Sequence, residues 1–107
     1  MHKPDLWCIL KIDGNDPHYR VFGSFYGGYL HGDSWRMNSG IVRVEEEDGC
    51  YLFYGQSGSC YVCSKAGYGA SNFGYGVIEK YTSKSDKITI LDDVDDWKEM
   101  NWIIKEK

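Results

Sequence analysis

The chain has 107 residues, of which 42% are hydrophobic and 16% aromatic, and its net charge is −4. That length and apolar content predict a single domain with a packed core and exclude wholesale disorder. The acidic balance argues against direct nucleic-acid binding, and no stretch nears the roughly 20 apolar residues of a membrane-spanning helix.

Leu6 to Ile12 alternates and is rich in β-formers, predicting a first strand that ends at the turn Asp13-Gly14. The apolar run before Lys11 is too short for a signal peptide, so the four cysteines read as reduced thiols in a cytoplasm. Tyr19 to Tyr26 predicts a second strand, broken at Gly27-Gly28 and again at Gly32-Asp33. Ile41 to Glu47 alternates, with Ile41, Arg43 and Glu45 on one side and Val42, Val44 and Glu46 on the other. Asp48-Gly49 is a hairpin turn, and Cys50 to Tyr54 is the return strand. Ser59 to Cys63 is a further β-prone run.

Ser71 reads as the cap of a short helix with Val77, Ile78 and Tyr81 at helical spacing. Gly74 and Gly76 count against that helix by about 1 kcal/mol each. Lys87 to Leu91 is a strand; a turn or helical turn at 95–100 and a closing strand through Trp102, Ile103 and Ile104 complete the chain. The expected fold is mainly β (α+β), one domain over 1–107. It is a small antiparallel, partly barrel-like sheet of six or seven short strands with at most one short helix.

Cys60 and Cys63 have the C-x-x-C spacing of a zinc knuckle, with Cys8, Cys50, His2, His18 and His31 as further candidates. The intervening Tyr and Val favour extended backbone, which would send the two thiols to opposite faces, so buried reduced cysteines are the favoured reading. No G-x-S-x-G, P-loop, H-E-x-x-H or EF-hand loop occurs, and the spacing of serines and histidines selects no catalytic set. The acidic runs Glu45 to Asp48 and Asp92, Asp93, Asp95, Asp96 are either solvated turns or a patch for a basic host surface.

The aromatic–glycine segments are the remaining signal. Glycine lets a twisted strand curl around rings, which accounts for Phe22, Phe25 and Tyr29. It accounts less well for Asp33, Ser34, Trp35, Arg36 and Asn38, in a segment too polar for plain core. Trp, Tyr and Arg dominate interface hot spots, which adds Tyr54, Tyr61 and Tyr68 to the candidate binding residues. The alternative is that Arg36 pairs with Asp33 while Trp35 covers the core.

Residues 28–63, GYLHGDSWRMNSGIVRVEEEDGCYLFYGQSGSCYVC, resemble small accessory proteins of T-even-type tailed phages. There a G-D-S-W-[RQ]-x-[NS]-S-G segment precedes an acidic hairpin, an aromatic strand and a Tyr-x-Cys run. The resemblance carries over no catalytic residue and needs no cofactor. It implies a gene acting in the cytoplasm of an infected bacterium, against a host protein such as a component of antiviral defence. The expectation is therefore a non-enzymatic inhibitor that binds a host protein. The alternatives are a sponge for a small nucleotide, with Arg36 or Lys65 on its phosphate, and a zinc-stabilised interaction module.

Overall fold

A computed structural model describes residues 1–28 and 32–103. It has seven strands and one α-helix: β1 (Leu6–Ile12), β2 (His18–Gly28), β3 (Gly32–Met37), β4 (Ile41–Glu47), β5 (Cys50–Gly55), β6 (Cys60–Ser64), α1 (Asn72–Lys84) and β7 (Ile88–Ile90). They form two antiparallel sheets, ordered β3-β2-β1-β7 and β4-β5-β6. The mainly β class and the single helix agree with the sequence. The partly barrel-like form does not, because among the described residues the strands fall into two sheets that are not closed into a barrel.

β1 organises the molecule. Its consecutive residues Trp7, Cys8, Ile9 and Leu10 are all buried, although strand side chains alternate between faces. Both faces of the larger sheet are therefore covered. Trp7 and Ile9 join Val21, Tyr51, Phe53, Tyr61, Trp97 and Trp102 in the core between the sheets. Cys8 and Leu10 join Phe22, Ala70 and Ile78 beneath α1. The segment before β1 pairs with β6, with His2 N–H donating to the Cys60 carbonyl at 2.9 Å, so the chain links both sheets at one corner.

Several boundaries differ from the sequence reading. β2 runs through Gly27-Gly28 instead of stopping there, because Gly27 takes φ +46° in an irregular stretch of the β2–β3 pairing and the strand bends without ending. The polar segment 32–37 is not a loop but edge strand β3, and a strand paired on one side tolerates polar residues facing water. A register shift between Ile41 and Arg43 breaks the expected alternation in β4: Ile41 is buried in the core, while Arg43 lies over the outer Tyr54 ring. The hairpin at Asp48-Gly49 has φ of +50° and +77°, as its dipeptide demands.

Ser71 does cap α1, its Oγ accepting from Gly74 N–H at 2.9 Å. The buried stripe of the helix is Gly74 and Ile78, leaving Tyr81 largely outside. Residues 97–99 form a 3₁₀ turn, whereas Trp102 and Ile103 make no closing strand. Trp102 is instead anchored by donating its indole N–H to the Trp97 carbonyl at 3.1 Å. Tyr29, His31 and Ile104 lie outside the described residues.

The two helix glycines separate by environment. A Cβ on Gly74 would lie 2.6 Å from Ser24 Oγ and 3.2 Å from Phe22, but one on Gly76 meets nothing within 4 Å. Gly74→Ala is expected to lower stability by about 1–3 kcal/mol through overpacking. Gly76→Ala is expected to raise it by about 0.5–1 kcal/mol. Urea denaturation of the two variants checks the opposite signs.

Candidate functional site

Trp7, Trp97 and Trp102 lie in the core, and each indole N–H has a partner there: the Ser64 carbonyl at 2.6 Å, Asp93 Oδ1 at 3.1 Å and the Trp97 carbonyl at 3.1 Å. Trp35 is placed differently. It sits on edge strand β3 on the side that faces α1, half-buried, with one ring face stacked on Phe22 at 5.3 Å. Tyr81 of α1 meets it edge-on at 6.2 Å. Between β3 and α1 lies a groove of about 360 Å³, lined by Trp35, Val77, Lys80, Tyr81 and Lys84.

The helix creates this groove because residues three and four apart share a face. Gly74 and Ile78 turn towards the sheet, so Val77, Lys80, Tyr81 and Lys84 fall along the flank beside β3. The result is an apolar floor bordered by two ammonium groups in a chain of net charge −4. Such a surface can hold an apolar group that carries negative charge. It offers no nucleophile–base pair.

The other expected binding residues are dispersed. Arg36 is one position from Trp35 and faces the opposite side of the sheet, paired with Gly23. Burial raises the Tyr61 pKa, and the Arg36 charge partly counters it. Asp33 does not pair with Arg36, because its Oδ1 accepts from Gly27 N–H at 3.1 Å. Ser34 is exposed on β3. Asn38 is structural: it is 3% exposed and its Oδ1 takes the Val21 N–H at 2.9 Å.

The tyrosines do not join Trp35. Tyr54 lies on the outer face of the smaller sheet beneath Arg43, 3.9 Å from guanidinium to ring centroid. Tyr61 is core, and Tyr68 ties β1 to the segment after β7 by accepting from Ile9 N–H at 3.1 Å and donating to the Leu91 carbonyl at 2.5 Å. Lys65 is also unsuited to a phosphate, since it is engaged by Glu46 and lies over the Tyr51 ring. The acidic runs are partly brought together, with Lys98 bridging Glu46 at 2.6 Å and Asp96 at 3.8 Å.

Val77, Lys80, Tyr81 and Lys84 are the groove residues that the sequence reading did not assign to a site. Their signal was the lysine pair at four-residue spacing next to an aromatic, on a helix that the glycines obscured.

Cys60 and Cys63 lie three residues apart in one extended strand, Cys63 buried and Cys60 half-exposed. Among the described residues, no three His, Cys, Asp or Glu side chains are close enough to hold a metal ion. Nor is any described helix long and apolar enough to cross a membrane. Compared with protein-family models, curated proteins and solved structures, the chain matches none.

Burial pushes the Cys8 thiol from its ordinary 9.0 up to about 12 and raises Cys63 as well. A thiol held protonated in the fold contributes its full stability below the unfolded pKa and loses it as pH rises through the folded one. Stability is therefore expected to fall above pH 9 and to keep falling towards pH 12. With a chromogenic disulfide at pH 8, Cys50 and Cys60 are expected to react in the native protein, and Cys8 and Cys63 only after unfolding.

Proposed function

We propose that the protein is a non-enzymatic binding protein whose contact surface is centred on Trp35, acting as a phage accessory protein that inhibits a host protein. The observation that carries this reading is the groove that half-buried Trp35 and Val77 and exposed Tyr81 line beside Lys80 and Lys84. Helix–sheet packing brings Trp35 and a 40% exposed Tyr81 together at the sheet edge and leaves part of both rings uncovered. Large amphipathic rings of this kind are the usual anchors of interfaces.

Two of the three histidines fit a binding role better than a catalytic one. His2 packs against the Tyr61 ring at 4.8 Å. His18 is held between the Asp16 carbonyl at 2.7 Å and the Arg20 guanidinium at 2.9 Å. Both imidazoles are thus engaged in structural contacts. A second reading, capture of a small nucleotide, is favoured only by the two lysines beside the rings. Mass spectrometry of the denatured protein would reveal a retained nucleotide and so favour it.

The test is a pull-down from host lysate with wild type, Tyr81→Ala and Arg36→Ala. A partner bound at the groove is expected to be retained by wild type and by Arg36→Ala. Tyr81→Ala is expected to weaken it by about 2 kcal/mol, roughly thirtyfold. Equal retention by all three proteins contradicts the assignment.

A further inference from the structure

Resting on that reading, we infer that the groove and the open edge of β3 together receive an extended acidic segment of the partner, which adds to the larger sheet as a strand. Among the described residues β3 is the terminal strand of its sheet, paired with β2 on one side only. Its outer edge presents backbone donors and acceptors, the usual template for strand addition. The groove lies on the α1 side of that same edge, so alternate side chains of an added strand enter it.

The chemistry of the occupant follows from the lining. An apolar side chain covers Trp35, Val77 and Tyr81, and carboxylates meet Lys80 and Lys84. Neither lysine is paired with a carboxylate among the described residues. Acids two apart on a strand are separated by about 6.6 Å, of the same order as the rise of about 6 Å between lysines four apart on a helix. The occupant is therefore an alternating segment with one apolar residue and two acids on the same face.

A second copy of this chain is a poorer occupant. Antiparallel pairing of β3 with itself about a two-fold axis places both α1 helices on the same side of the joined sheet. The lysines of the two grooves then approach each other, and like charges repel.

A fluorescent synthetic peptide in which one leucine and two glutamates alternate with threonines is titrated with the full chain, and polarisation is recorded. The expected result is saturable binding, weakened at least tenfold at 500 mM salt relative to 50 mM. The lysine-for-glutamate peptide, and a glutamate peptide with N-methylated backbone, are expected not to bind. Lys80→Glu/Lys84→Glu changes two exposed side chains and is expected to abolish binding with its circular dichroism unchanged. Equal binding of both charge variants, or binding undiminished in the double variant, overturns the inference. So does saturable binding of adenosine monophosphate with none of the peptide, or a lysine-dependent dimer in light scattering. If a lysate partner is lost on Tyr81→Ala yet ignores salt and lysine reversal, the binding-protein reading stands and the acidic-strand inference fails.

Discussion

The structure depends on the burial of Trp7 among rings contributed by separate parts of the chain. Its indole meets Tyr51 and Phe53 from β5, Tyr68 after β6, and Trp97 in the 3₁₀ turn, at centroid separations of 4.9–6.1 Å. These contacts hold the smaller sheet and the C-terminal segment against β1. Tilted and edge-to-face geometries let each ring present its positive edge to a neighbour's negative face, which adds about 0.5–1.5 kcal/mol per pair to the gain from burial. Few aliphatic side chains are then needed between the sheets, and a 107-residue chain can cover both faces of its central strand.

The opposite face of β1 imposes the second constraint. Ser24 Oγ accepts from Ser71 N–H at 3.2 Å, and Gly74 lets the helix backbone approach β2 there. Once that end of α1 is fixed, the helical period turns Ile78 to the sheet and leaves Tyr81 near the β3 edge. Trp35 covers Phe22 on one face and borders the groove beyond it. The exposed groove is thus a geometric consequence of a close helix–sheet contact at one end and a ring stack at the edge.

Much of the fold was legible. β1, β4, β5, β6 and β7 are visible as β-rich runs, and the Asp48-Gly49 turn follows from the backbone conformations its residues tolerate. What stayed hidden depended on tertiary context. Glycine propensity argues against α1, yet Gly74 is required there by Ser24, an interaction 50 residues away in the chain. The bulge in β4 shifts Ile41 into the core, and nothing in IVRVEEE marks its place. For the site, the unusual character of Trp35 was readable from its polar neighbours. The grouping of Trp35 with Arg36 was not, because it presumed a loop, and in a strand neighbouring side chains point apart. The groove's lysines come from another element altogether.

On the proposed function, partner contact falls on the α1 side of the β3 edge, while the aromatic core between the sheets is structural. Amide hydrogen exchange of the chain, free and bound to its captured partner, tests this most directly. Added protection is expected in residues 33–37 and 77–84, with no change in residues 43–54 or 92–98. Protection confined to the outer face of β4 and β5 or to the acidic segment, with β3 and α1 unchanged, would contradict it.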